Sequence, residues 1–270
     1  MSGRFLVRLL ASLYLFSLVF VCWIVAWLLQ LLVIAVTFPF ASKTQRQDWC
    51  SYIFRLHNML PMVLLNPFWK VHTLRPFPQT REKKLIVMMN HSSAADTFLV
   101  LRVLFPRDAS WVAKDILFRV PFGGWCMSNA DDLCVYFKNK RKSMETVKGT
   151  VGPMMEAAHK KVARGRMIAI FPEGTRNNTP EDGLLPFRPG FFKLAIDEGA
   201  TIIPIAASGT EKCWPHRSWL VDVGEAYFSC GDPVHASNFD SVEGLMNHVH
   251  KVITELRATH PSVVAEGSPQ

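Results

Sequence analysis

The stretch Lys84-Leu85-Ile86-Val87-Met88-Met89-Asn90-His91-Ser92-Ser93-Ala94-Ala95-Asp96 decides how the chain is read. Its first six residues are an apolar run led by lysine, the pattern of a buried strand. Ser92 or Ser93 then caps a helix running to about Leu104. Such a strand-to-helix turn is where α/β proteins expose reactive groups. His91 suits a general base near neutral pH, and Asp96 supplies the acceptor that holds its tautomer. Five residues apart in a regular helix is roughly 140° around the axis, which would part the two side chains. His91 therefore belongs to the turn before the helix. Asp96 belongs to its first turn, where the helix dipole favours an ionised carboxylate.

Downstream, short strand-like runs at 111–113, 133–137, 167–171 and 202–206 alternate with helical patterns. Pro153 opens a helix with Met154, Met155, Ala158 and Val162 on one face, stopped by Gly165. Residues 190–198 form a short helix ended by Gly199. Asp240, with Glu243 three residues on, caps a last helix striped by Leu245, Val249, Val252 and Leu256. The tail after His260 reads as loose. Alternation of this kind predicts an α/β fold: a mixed, largely parallel central sheet flanked by helices.

Upstream, residues 9–40 are almost wholly apolar, broken only by Ser12, Ser17, Gln30, Thr37 and a terminal Pro39. One membrane span needs about 20 apolar residues, so the run supplies one span and not two. One long tilted helix and two short helices dipping in from one side both fit, and no Gly or Pro inside the run marks a hairpin. The run is too long for a signal peptide and lacks a small-residue cleavage site. Arg4 and Arg8 before it balance Lys43 and Arg46 after it, so orientation is not readable. The expected organisation is a membrane anchor over 1–46 and a catalytic domain over 47–270. A second apolar patch at 59–69, broken by Pro61 and Pro67, is too short to span and suits an interfacial segment or a core element.

The 270 residues carry a formal charge of +8. That balance attracts polyanions. No nucleic-acid motif is present, so membrane lipid and phosphorylated ligands are the better partners. The six cysteines show neither C-x-x-C nor metal-ligand spacing, which points to reduced thiols used as apolar fillers.

A second constellation, Phe171-Pro172-Glu173-Gly174-Thr175-Arg176, again follows a buried strand. Gly174 lets backbone approach a ligand, Arg176 offers a fork for phosphate, and Thr175 adds a hydroxyl. Glu173 either holds Arg176 or accepts from a substrate hydroxyl. Lys114 follows another strand. The basic cluster Lys138, Lys140, Arg141, Lys142 and Lys148 is a solvated face or an attractor of anionic lipid.

Asn90, His91 and Asp96 match N-H-x4-D, and residues 171–176 match F-P-E-G-T-R, in this order and about eighty residues apart. On these residues the chain resembles the glycerophospholipid acyltransferases whose type member is 1-acyl-sn-glycerol-3-phosphate acyltransferase. The resemblance covers roughly 70–230, and the segments 185–190 and 203–205 support it. It implies that His91 takes the acceptor hydroxyl proton, that Asp96 orients His91, and that Arg176 binds the acceptor phosphate beside Glu173, Gly174, Thr175 and Lys114. It implies acyl-CoA and lysophosphatidic acid as partners and direct transfer without a cofactor. No G-x-S-x-G elbow argues for an acyl-enzyme. It also implies a membrane protein, in a eukaryote of the endoplasmic reticulum with the site at the cytosolic interface. Other lysophospholipids, glycerol-3-phosphate and dihydroxyacetone phosphate remain alternative acceptors, and a non-enzymatic membrane lipid-binding protein an alternative function. The family's usual Arg after the 133–137 strand is absent here, with Asn139 in its place.

Overall fold

Alternate residues of the strand at 85–89 feed two different cores. Leu85, Val87 and Met89 point into one apolar cluster, Ile86 and Met88 into the other, and all five are buried. A strand covered on both faces has to be apolar at every position, hence the continuous run in the sequence. The structure, a computed structural model, describes residues 3–138 and 146–267. Asn139, which stands where the family usually has an Arg, and Lys140, Arg141 and Lys142, read from sequence as a solvated face or an attractor of anionic lipid, lie outside the described residues.

Eight strands form one sheet among the described residues: β1 (Trp69–Arg75), β2 (Leu85–Met89), β3 (Ser110–Lys114), β4 (Leu133–Val135), β5 (Ile168–Ile170), β6 (Thr201–Ser208), β7 (Gly224–Cys230) and β8 (Val234–His235). Their order is β1-β7-β6-β2-β5-β3-β4, with β8 also on β6. From β6 to β4 all pairings are parallel, whereas β7 and β8 run antiparallel to β6. The mixed, largely parallel sheet expected from the sequence is thus present.

The helices are α1 (Gly3–Thr37), α2 (Lys43–Met59), α3 (Asp96–Leu99), α4 (Leu101–Leu104), α5 (Gly123–Asn129), α6 (Val151–Ala163), α7 (Gly190–Glu198), α8 (Thr210–Cys213), α9 (Val242–Ala258) and α10 (Pro261–Gly267). On one face of the sheet, α6, α7 and α9 pack through Ala158, Val162, Phe192, Leu194, Leu245, Val249 and Ile253. The other face is covered by α1, α3, α4 and the turn after α2, through Ala11, Leu15, Val19, Met62, Leu99 and Leu104.

The apolar run is one continuous helix, α1, the one described helix long and apolar enough to cross a membrane. It is not a detached anchor. Ala11, Leu15, Val19, Cys22, Ala26 and Gln30 recur every three or four residues and are buried as one stripe. Its other side exposes Leu6, Leu10, Leu13, Phe20, Val21, Leu28, Leu32 and Val36. α2 runs back along it, with Trp23 Nε1 donating to Asn58 Oδ1 at 2.8 Å and Gln30 Nε2 to the Cys50 carbonyl at 2.8 Å. α2 opens with a Ser42–Gln45 capping box, so a boundary at residue 46 falls inside its first turn. Charged side chains fasten α2 to the sheet domain: Arg55 to Asp132, and Asp48 to Arg164 at 2.8 Å.

Three further expectations change. The helix after β2 starts at Asp96 and not at the serines, because the Asp96 carboxylate takes the Ser92 and Ser93 amides and holds that turn out of the helix. Ser241, not Asp240, caps α9, its hydroxyl accepting from the Gly244 amide at 3.0 Å. The expected loose tail is the helix α10. Fully buried His260 precedes it, with Nδ1 2.7 Å from Ser208 Oγ and Nε2 3.0 Å from Ser229 Oγ. In the 59–69 patch, Met59, Met62 and Trp69 are buried while Leu64 and Leu65 are exposed.

Candidate active site

β2, β5, β6 and β3 are parallel, so the turns that follow them gather at one edge of the sheet. Met88 is level with Ile170 on β5 and with Pro204 on β6. The Asn90 side chain ties β2 to β6 in both senses: Nδ2 donates to the Ala207 carbonyl at 2.9 Å and Oδ1 accepts the Ala207 amide at 2.7 Å. The next residue, His91, leaves the sheet at a fixed point.

His91 Nδ1 lies 2.7 Å from Asp96 Oδ2. The same oxygen accepts the amides of Ser92 at 2.8 Å and Ser93 at 2.9 Å. Asp96 is fully buried, and three donors on one oxygen fix its position. Oδ2, already accepting two amides, meets Nδ1 as an acceptor, so Nδ1 carries the ring proton and the lone pair is on Nε2. The imidazole stacks on the Phe171 ring, with centroids 3.9 Å apart and planes 14° from parallel. Carboxylate and ring together set its orientation, and 15% of the His91 side chain remains exposed.

The turn after β5 is joined to the His91 turn through backbone. The Asn177 amide donates to the His91 carbonyl at 2.6 Å. Glu173 Oε1 accepts the His91 amide at 2.7 Å, and Oε2 accepts the Leu185 amide at 3.0 Å. Glu173 is 2% exposed. It therefore neither pairs with Arg176 nor presents an oxygen to a hydroxyl, but clamps three loops. Burial pushes its carboxyl up to about 7, against the pull of those two amides. Gly174 has φ +70°, a backbone form that favours glycine, and its amide closes the turn on the Phe171 carbonyl at 2.9 Å. Thr175 is half-buried and Arg176 exposed.

Arg176 forms no hydrogen bond or ion pair among the described residues, and its charge acts on two neighbours. Lys114, last residue of β3, is lowered by burial first and by Arg176 second, and its ammonium sits 5.0 Å from the centre of the Phe137 ring. His216 is lowered by burial, then by Arg176 and Arg217, and its Nδ1 is buried without a partner. Lys114 and Arg176 thus form a cationic pair near the His91 turn, which the Asn177 amide joins to the Arg176 loop, and it suits a dianionic phosphate; His216 beside them is held toward its neutral form.

Sequence reasoning missed four parts of this edge: the Phe171 ring under His91, the Asn90 clamp, His216 and Glu211. The Glu211 carboxyl, raised by burial first, accepts from Ser92 Oγ at 3.3 Å. Phe171 and Asn90 were in plain view inside the two motifs. His216 and Glu211 lie on the connection after β6, where no local pattern distinguishes them.

The sequence profile of the Acyltransferase family matches residues 69–208. A Caenorhabditis elegans protein named putative 1-acyl-sn-glycerol-3-phosphate acyltransferase acl-1 is 31% identical over 64% of this chain and 62% of its own length. The 1-acyl-sn-glycerol-3-phosphate acyltransferase of Saccharomyces cerevisiae is 36% identical over 48% of this chain and 40% of its own length. That of Haemophilus influenzae is 29% identical over 74% and 79%. The chain thus spans about three fifths and two fifths of the first two relatives. The crystal structure of the 1-acyl-sn-glycerophosphate (LPA) acyltransferase PlsC from Thermotoga maritima covers 99% of both chains with a TM-score of 0.74 at 20% identity, a likeness of fold. The profile takes in β1 to β6 and both motif turns, more than half of the sequence, and on that ground this chain belongs to the Acyltransferase family.

Proposed function

We propose that this protein transfers a fatty acyl group from acyl-CoA to the sn-2 hydroxyl of a 1-acyl-glycerol-3-phosphate, giving phosphatidic acid for phospholipid synthesis. The observation that carries the reading is the 2.7 Å contact between His91 Nδ1 and Asp96 Oδ2, which leaves Nε2 as the basic atom near a cationic pair. Relatives of that printed activity support the choice of acceptor.

In the proposed reaction the acceptor phosphate binds Arg176, with Lys114 and the Gly174–Thr175 backbone close by. His91 Nε2 takes the hydroxyl proton as that oxygen attacks the thioester carbon. Asp96 stabilises the imidazolium that forms. The C–S bond then breaks, and the departing thiolate receives the proton from His91, so the ring returns to its starting state. Asp96, Glu173 and Phe171 do not touch substrate in this scheme. They hold the imidazole in place before the substrate arrives, so no energy is spent ordering it during the reaction.

The membrane is the expected site of work. From Arg8, which donates to Ser218 Oγ, to Gln30, which donates to the Cys126 carbonyl of α5, α1 is held to the rest of the protein over roughly 33 Å at the rise of an α-helix. A helix held along that length lies with the domain at one face of a bilayer and does not leave it to cross. Each outward Leu, Val or Phe gains roughly 1.5–3 kcal/mol on burial in lipid. In a eukaryotic cell the family resemblance suggests the cytosolic face of the endoplasmic reticulum as the place of work.

The test is an acceptor screen. Purified protein receives one acyl-CoA and, in turn, lysophosphatidic acid, other lysophospholipids, glycerol-3-phosphate and dihydroxyacetone phosphate, with products identified by mass. Phosphatidic acid with lysophosphatidic acid is the expected result. Free fatty acid formed equally fast without any acceptor would make the protein a hydrolase and end this reading.

A further inference from the structure

Trp219 is the most exposed large apolar residue described, at 90%. It is not a loose tip. The chain on either side is held by a dense set of hydrogen bonds. Ser218 Oγ donates to the Leu220 carbonyl at 2.7 Å and accepts the Leu220 amide at 3.0 Å, so the two neighbours of Trp219 are tied to each other across it. The Ser218 carbonyl accepts Trp214 Nε1 at 3.0 Å. Arg217, just before, has φ +57°, a conformation that costs a non-glycine residue energy and persists only where its surroundings impose it. The fold thus directs an indole into solvent and holds it there.

The same segment is fastened to α1. Arg8 Nη2 donates to Ser218 Oγ at 2.9 Å and to the Leu220 carbonyl at 3.2 Å, and Arg8 Nε to the Val221 carbonyl at 3.3 Å. Ser12 Oγ accepts the Val221 amide at 2.9 Å. Arg4 pairs with Asp222 at 3.0 Å. The Trp214 ring lies 5.2 Å from that of Phe16. On these turns of α1 the outward residues are Phe5, Leu6, Leu10 and Leu13, all exposed. Trp219 and Val223, exposed as well, lie on the segment that these bonds hold against the helix, so exposed apolar residues continue from α1 onto it. At its other end the segment meets the candidate active site: the Trp214 carbonyl accepts Ser93 Oγ at 2.8 Å, two residues from His91.

We infer that residues 214–223 form a second membrane contact, in which Trp219 enters the headgroup–acyl boundary of the phospholipid bilayer that α1 occupies. The inference rests on the membrane location proposed above. Indole suits that boundary, its ring apolar and its N–H able to meet water or headgroup. Arg217, exposed two residues before it, adds a positive charge that favours an anionic surface. One helix docked by one stripe leaves the domain free to roll about the helix axis. A second contact to the side of that axis removes the roll and fixes the height of the His91 edge above the lipid from which the acceptor must come.

The experiment uses the full chain in phosphatidylcholine–phosphatidylglycerol vesicles, with lipid brominated either near the glycerol end of the acyl chain or near its methyl end. Emission is compared between wild type and Trp219→Phe, a change at a site where packing offers nothing to lose. The difference signal, which is that of Trp219, is expected to be quenched by the shallow bromines and little by the deep ones. If the difference signal is unquenched while the other tryptophans, Trp23 and Trp27 of α1 among them, are quenched, this inference fails alone. If no tryptophan is quenched, the membrane location fails, and this inference with it.

Discussion

Replacing Glu173 by Gln removes no group that meets substrate in the proposed scheme, yet it is expected to cost most of the activity. The carboxylate accepts the His91 amide at 2.7 Å and the Leu185 amide at 3.0 Å. A glutamine has one acceptor oxygen, so its NH2 must face one of those two amides. A buried donor left unpaired costs about 1–3 kcal/mol. Against this, burial pushes the wild-type carboxyl up to about 7 from 4.5, so its ionised form carries a penalty of about 3 kcal/mol above pH 7 that the amide avoids. The two effects nearly offset, and global stability at pH 8 is expected to change by less than about 2 kcal/mol. Position does not offset. Either the His91 turn or the Leu185 turn must move, and a displacement of about 1 Å at the reacting group costs about 100-fold in rate.

The pH dependence gives a second reading of the same residue. Between pH 4.5 and about 7 the folded wild type holds the Glu173 proton more tightly than the unfolded chain does. That part of its stability is therefore present at low pH and lost as pH rises through this window. Glu173→Gln lacks the effect. The assays are acyl transfer to lysophosphatidic acid, followed by thiol release, and denaturant titration at pH 5 and pH 8. Activity within about threefold of wild type would refute the clamp, since that is far short of the loss expected from displacement. So would an unchanged difference in stability between the two pH values.

Arg176→Ala is expected to raise KM for the phosphate-bearing acceptor about ten- to hundredfold, the range of one charge-assisted hydrogen bond, with KM for acyl-CoA little changed; steady-state kinetics with each substrate varied checks it. His260 behaves oppositely to Glu173. Burial pushes its imidazole down to about 4, so folding favours the neutral ring, and stability is full above pH 6.5 and lost as pH falls towards 4, by about 3 kcal/mol. Denaturant titration of His260→Asn is expected to show that acid slope removed.

The parts of this molecule that are legible in sequence are those whose signal is local. β2, β5 and β6 read as buried strands because both of their faces are covered, which demands unbroken apolar runs. His91 and Asp96 read as a pair because five residues of one turn bring them together. β1 and β7 were not foreseen. β1 is an edge strand on which only Trp69 is buried, and its Lys70, His72 and Arg75 give no strand pattern. β7 lies parallel beside it and antiparallel to β6, and nothing near it in sequence announces either pairing. Glu173 was assigned to ligand or to Arg176 because its true partners are backbone amides 82 and 12 positions away, which carry no residue signature. The α1 run reads as a membrane element from composition. Its docking stripe of small and polar residues, Ala11, Ser12, Cys22, Ala26 and Gln30, is visible only once the surface that receives it is known.

The central claim is that the Nε2 atom of His91, oriented by Asp96, removes the acceptor proton. The most direct measurement is single-turnover acyl transfer by His91→Ala, with acceptor and acyl-CoA binding measured on the same preparation. The account predicts that both substrates still bind and that transfer falls by about 100- to 10,000-fold, the range of a lost general base. Transfer at close to the wild-type rate with both substrates bound would contradict it.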